Sequence, residues 1–80
     1  MSDPEAGLSA QDQQARRLDQ IAQEAELMAE HARIAALHFR NREIPRGAAH
    51  TLALTGHSAK VRSLLDEIAI AHAERAQTTV

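Results

Sequence analysis

Residues 18–40, LDQIAQEAELMAEHARIAALHFR, decide the fold of this 80-residue chain. Apolar side chains recur in this stretch at alternating spacings of three and four, which is the pattern of a coiled-coil seam along one face of an α-helix. They are Leu18, Ile21, Ala25, Met28, Ala32, Ala35 and Phe39. The pattern predicts one long helix that Ser9 caps at its start and that ends at about Arg40, with Asn41 as a left-handed stop.

A turn is predicted directly after this helix, at residues 41–47 (NREIPRG). Pro45 cannot continue the first helix but suits the first turn of a new one, so a second helix is expected from about Pro45 to Ala76. Gly56 costs about 1 kcal/mol relative to alanine inside a helix, and a break there would give three helices. We favour one continuous second helix.

The fold class is therefore all-α, with one helical hairpin domain over residues 9–76. Residues 1–8 contain Pro4 and Gly7 and show no apolar periodicity, so we expect a disordered leader there, and a frayed tail at residues 77–80. A chain this short buries only about 60% of its unfolded surface, and 17 of its residues are alanine, which adds little buried area. Its core is expected to be marginal.

Four of the five histidines form a mirrored pattern about Ile44. His31 and His57 lie equally far from Ile44 in the sequence, and so do His38 and His50. A hairpin that turns near Ile44 therefore brings the two members of each pair to the same height along the helices. The same rule places small residues opposite each other, with Gly56 facing Ala32. We favour these small residues as the contact between the helices, with Gly56 as a packing residue and the histidines flanking it. A histidine-lined contact is the alternative.

More apolar surface is present than one hairpin covers, because each helix can bury only one face against the other. Large exposed apolar patches are rare on true monomers, so two hairpins are expected to pair as a homodimer in an antiparallel four-helix bundle. The interface residues expected on this basis are Leu18, Ile21, Ala25, Met28, Ala32, Ala35, Phe39, Leu54, Val61, Leu64 and Ile68.

The histidines are also candidate metal ligands. Neutral imidazole suits zinc and other transition metals, but residues seven apart on one helix cannot chelate one ion together. A site formed by His31, His38, His50 and His57 therefore has to be built across helices, from His31 with His57 or His38 with His50, or from two chains. Bis-histidine haem ligation is a related alternative. The prediction that we favour is nevertheless that the protein binds no cofactor.

Other function classes find little support. The chain has no cysteine, a formal charge of −2 and no apolar run of membrane-span length, and its N-terminus is unlike a signal peptide. We expect a cytoplasmic protein that does not engage a membrane. No Glu-x-x-His pair, phosphate loop or nucleophile constellation occurs, so we do not expect an enzyme.

A basic tip is expected at the turn, formed by Arg40, Arg42 and Arg46. It is interpreted as solvated helix-end charge, because nucleic-acid binding usually adds a broader basic stripe or stacking aromatics. The leading hypothesis is a protein–protein interaction module that acts through apolar helix faces and binds itself and another protein, as a regulator, adaptor or accessory subunit. A histidine-based metal or haem binder is the alternative, and a nucleic-acid-associated factor using the tip is a weaker one.

Overall fold

The computed structural model describes residues 8–76, which form two antiparallel α-helices joined by a three-residue loop. Helix α1 spans Ala10–Arg40 and helix α2 spans Ile44–Arg75. The predicted all-α hairpin is confirmed, and α2 is continuous through Gly56. Most of the predicted leader and the whole predicted tail lie outside the described residues.

The start of α1 follows from its capping residue. The Ser9 hydroxyl accepts a hydrogen bond from the Asp12 backbone N–H at 3.0 Å, which satisfies one of the free donors at the helix start. Asp12 also places a carboxylate in the first turn, where the helix dipole favours negative charge. The predicted cap at Ser9 is confirmed.

The loop is shorter than the predicted turn at residues 41–47, because Ile44 to Gly47 already form the first turn of α2. The left-handed residue is Arg42, with φ 63°, and not Asn41, with φ −86°. The Glu43 N–H bonds to the His38 carbonyl at 2.8 Å and the Arg42 N–H to that of Phe39 at 3.1 Å. This pair of bonds is a Schellman motif, which requires the left-handed position one residue later than predicted.

The contact between the helices, here called the seam, is thin. Within residues 8–76, Ala35 is the one buried hydrophobic side chain, and Gly47 is the other buried residue. Larger apolar side chains reach the seam but stay half-buried: Ile21, Met28, Leu54, Val61, Leu64 and Ile68. An ion pair between Arg17 and Glu67, at 3.3 Å, ties the two helices near the open end of the hairpin.

Candidate functional site: a histidine array in the seam

Four histidines line the seam, which corrects the predicted arrangement. His31, His38, His50 and His57 are half-buried between the helices, whereas Ala32 is exposed. Gly56 is exposed too, and a Cβ built on it meets nothing within 4 Å. The prediction that small residues form the contact, with Gly56 as a packing residue, is wrong, and the histidine-lined alternative is the observed one.

These four side chains form a continuous row, called here the histidine array. The ring centroids of His57 and His31 are 5.4 Å apart and those of His50 and His38 are 5.5 Å apart, both pairs being stacked. Between the two stacks, the Nδ1 atoms of His31 and His50 are 2.9 Å apart. The row therefore crosses the seam at every step, in the order His57, His31, His50, His38. Its stacked pairs are the two mirrored pairs expected from the sequence.

Both ends of the array meet a carboxylate. Glu24 bonds His57 Nδ1 at one end, and at the other Glu43 Oε1 lies 3.4 Å from His38 Nδ1. Each carboxylate also has a cation on its outer side, with Lys60 Nζ 3.7 Å from Glu24 and Arg46 2.9 Å from Glu43. The hydrogen bond from His57, with the nearby Lys60 charge, lowers the pKa of the Glu24 carboxyl below its usual value.

The two glutamates were not among the predicted site residues, although the sequence carries a signal for them. Glu24, His31 and His38 have the spacing E-x6-H-x6-H, and the same spacing recurs 19 residues later at residues 43, 50 and 57. Residues seven apart lie on one side of a helix. The repeat thus gives each helix the same Glu-His-His edge, and the antiparallel packing sets the two edges against each other with approximate two-fold symmetry.

The chemistry of the array is set by its centre. Two Nδ1 atoms at 2.9 Å hydrogen-bond when one ring carries its proton on Nδ1 and the other does not. The outer histidines instead present Nδ1 to a carboxylate. Within residues 8–76 no three potential metal ligands converge on one point.

A haem does not fit between these histidines as the structure arranges them. Axial ligation needs two imidazoles that point at one iron from opposite sides of a flat macrocycle. Here the rings contact one another directly, either stacked or through their Nδ1 atoms. No slot separates the rings, so the array in this arrangement does not hold a haem.

A second feature is the apolar face, a stripe on one side of the hairpin. On α1 it consists of the residues that directly follow Arg17, Glu24, His31 and His38, and on α2 of the residues at the equivalent heptad positions. The approximate two-fold relation between the helices places both sets on the same side of the hairpin. Its members recur every seven residues: Leu18, Ala25, Ala32 and Phe39 on α1, and Ile44, Thr51, Ser58 and Leu65 on α2. All eight are exposed, and the four large ones keep 45–61% of their surface.

The structure divides the predicted interface residues into two sets. Ile21, Met28, Ala35, Leu54, Val61, Leu64 and Ile68 face the seam within one hairpin. The predicted seam positions Leu18, Ala25, Ala32 and Phe39 lie one residue away from the observed ones and belong to the apolar face. The residues that take their place in the seam are Arg17, Glu24, His31 and His38.

The remaining predicted site is the basic tip. Arg40, Arg42 and Arg46 are exposed at the loop end of the hairpin, and Arg46 is paired with Glu43. His72, the fifth histidine, is exposed in the last turn of α2 and lies far from the array. Neither helix carries an apolar stretch long enough to cross a membrane within the described part of the chain.

No protein-family model matches this chain, and neither a curated protein nor a solved structure shows significant similarity to it.

Proposed function

We propose that this protein is a self-associating protein–protein interaction module, in which two hairpins pack apolar face against apolar face as an antiparallel four-helix bundle. The observation that carries the proposal is the apolar face itself. The hairpin buries one alanine in its seam, while Leu18, Phe39, Ile44 and Leu65, four of the eight exposed large apolar side chains of residues 8–76, stay about half exposed on this one face.

The shape of the apolar face favours a second copy as the partner. Large side chains stand at both ends, Leu18 with Leu65 and Phe39 with Ile44, and smaller ones lie between them. The Thr51 hydroxyl donates to the Gly47 carbonyl at 2.9 Å, so its hydrogen-bonding need is met within the helix. Because the face has an approximate two-fold axis at its centre, an identical face matches it with large ends against large ends and small residues in close contact.

The expected affinity is modest. Covering a half-exposed leucine, isoleucine or phenylalanine contributes roughly 1 kcal/mol, or about 8 kcal/mol for the eight large side chains of two faces. Association costs at least about 4 kcal/mol, and the small residues add some buried area. The remainder, about 4 kcal/mol before the small residues are counted, corresponds to a dissociation constant of about 1 mM. A module of this affinity serves as a regulator, adaptor or accessory subunit whose assembly responds to concentration.

Sedimentation equilibrium between about 5 μM and 1 mM tests the proposal. The wild-type chain is expected to shift from 8.7 kDa toward twice that mass. The double variant Leu18→Gln, Leu65→Gln is expected to remain a monomer with unchanged helix content. Its matched control, Leu52→Gln with Ile70→Gln, removes two apolar side chains that lie off the apolar face and are even more exposed, and it is expected to dimerise like the wild type. A wild-type monomer at 1 mM, or equal effects of the two double variants, overturns the proposal.

A further inference from the structure

We propose that His31 and His50 are a chelating pair for Zn²⁺ or a similar divalent transition-metal ion, Cu²⁺ or Ni²⁺. The proposal rests on the one point of the histidine array where two ring nitrogens face each other across the seam, 2.9 Å apart. It is independent of self-association, because these side chains lie in the seam and not on the apolar face.

The geometry of the pair is close to that of two ligands on one ion. Zinc–nitrogen bonds of about 2.0–2.1 Å at a tetrahedral angle set two ligand nitrogens roughly 3.3 Å apart. The Nδ1 atoms therefore need to separate by about 0.4 Å, and each ring has to turn by roughly 35° so that both lone pairs point at one ion and not at each other.

Metal binding by the pair needs no other proton donor or acceptor. In the metal-free pair one ring carries its proton on Nδ1 and donates it to the other ring. When a metal binds both Nδ1 atoms, that proton moves to Nε2 of the same ring, so both histidines remain neutral. The hydrogen bond found for His31 and His50 within residues 8–76 joins their Nδ1 atoms, which leaves Nε2 of each ring to carry the proton.

The neighbouring groups explain why the central pair, and not the whole array, is the site. His57 and His38 stack on the pair, but their Nδ1 atoms already face Glu24 and Glu43. The cations Lys60 and Arg46 contact these carboxylates at the ends of the array and not its centre. The metal would thus have two protein ligands, with water completing its coordination, and would exchange readily. Stacking on the outer rings holds the chelating rings in place.

Isothermal titration of the untagged full chain with ZnCl₂ and NiCl₂ at pH 7.5 tests the site. We expect one ion per chain, and a loss of at least about tenfold in affinity for His31→Gln and for His50→Gln. His72→Gln, which removes a histidine outside the array, is the matched control and should leave the affinity unchanged. Absence of binding, or an equal loss in the control, overturns the proposal.

A second readout separates ligation from a structural role of the same residues. Imidazole ¹⁵N chemical shifts of the wild-type chain should change on Nδ1 of His31 and His50 when zinc is added, while Nδ1 of His57 keeps its shift. Because one ring moves its proton to Nε2, that atom also changes its shift when the pair chelates zinc. Nε2 changes with no change on Nδ1, or equal changes at all four histidines, would show that zinc binds elsewhere or diffusely, and would contradict the chelating pair.

Discussion

Gly47 and Gly56 both lie inside α2, but their surroundings predict opposite responses to alanine. A Cβ on Gly56 meets nothing within 4 Å, so Gly56→Ala should only add helix propensity. A Cβ on Gly47 would lie 2.7–2.9 Å from three ring carbons of Phe39, which is closer than van der Waals contact allows. At Gly47 the aromatic ring must move before alanine can be accommodated.

The magnitudes follow from these two environments. Replacing glycine by alanine in a helix contributes about 0.8–1.0 kcal/mol, and Gly56→Ala should raise the free energy of unfolding by about that amount. Gly47→Ala gains a similar propensity but also carries an overpacking cost of about 1–3 kcal/mol. The two variants should therefore differ by roughly 1–3 kcal/mol. Near the melting temperature of a domain this small, 1 kcal/mol corresponds to about 4–8 °C.

Urea unfolding of both variants measures the difference. One fixed protein concentration is used, because the proposed self-association would stabilise the folded state. A Phe39→Ala background provides the control, since removing the ring should make Gly47→Ala as favourable as Gly56→Ala. If Gly56→Ala destabilised the protein as much as Gly47→Ala, Gly56 would be a close-contact residue. The description of the seam would then be wrong, and the small-residue contact expected from the sequence would be restored.

Three further predictions concern the loop, the array and the apolar face. Arg42→Gly should raise the free energy of unfolding by roughly 0.5–1 kcal/mol, because glycine adopts φ 63° without a Cβ penalty, and Asn41→Gly should not; urea midpoints measure both. The hydrogen bond from His57 lowers the pKa of Glu24 below 4.5. The ionised Glu24 carboxylate therefore contributes its full stabilisation above pH 4.5 and loses it as the pH falls through the pKa of the folded state. The urea midpoint of Glu24→Gln should therefore fall less between pH 6 and pH 3.5 than that of the wild type. Ala32→Leu should leave the stability of the dilute chain within about 0.5 kcal/mol, because the position is exposed, and a larger loss would contradict the observed seam.

The helices themselves could be predicted from local signals. Ser9 and the alternating apolar spacings define α1, and the Schellman stop differs from the expected one by a single residue. Residues 45–76 contain no proline beyond the first turn of α2, and Gly56 alone does not interrupt a helix that packs along its length. Keeping α2 helical through Gly56 costs about 1 kcal/mol. This is less than the free energy that a break would lose in packing between several turns of α2 and α1.

The seam could not be predicted from apolar spacing, because two interleaved heptad series compete for it. Leu18, Ala25, Ala32 and Phe39 form one series, and the residues directly before them form the other. Counting apolar residues favours the first, but its two alanines would bury little area. The second series satisfies its polar groups across the seam, Glu24 with His57 and His31 with His50, and this pairing is not visible in either helix alone. In the sequence, only the Glu-His-His repeat, which occurs once in each half of the hairpin, indicates this pairing of polar groups across the seam.

In a hairpin that is stable as a monomer, large apolar side chains lie between the helices and polar ones outside. This hairpin has the opposite arrangement. Turning α1 by about 100° would bring Leu18 and Phe39 into the seam, but it would separate His31 from His50 and expose both. The observed packing keeps the polar array together and leaves Leu18 and Phe39 exposed. Because the array and the apolar face occupy different sides of the helices, the proposed metal binding and the proposed self-association should be separable. The chain with Leu18→Gln and Leu65→Gln should still bind zinc, and the chain with His31→Gln should still dimerise.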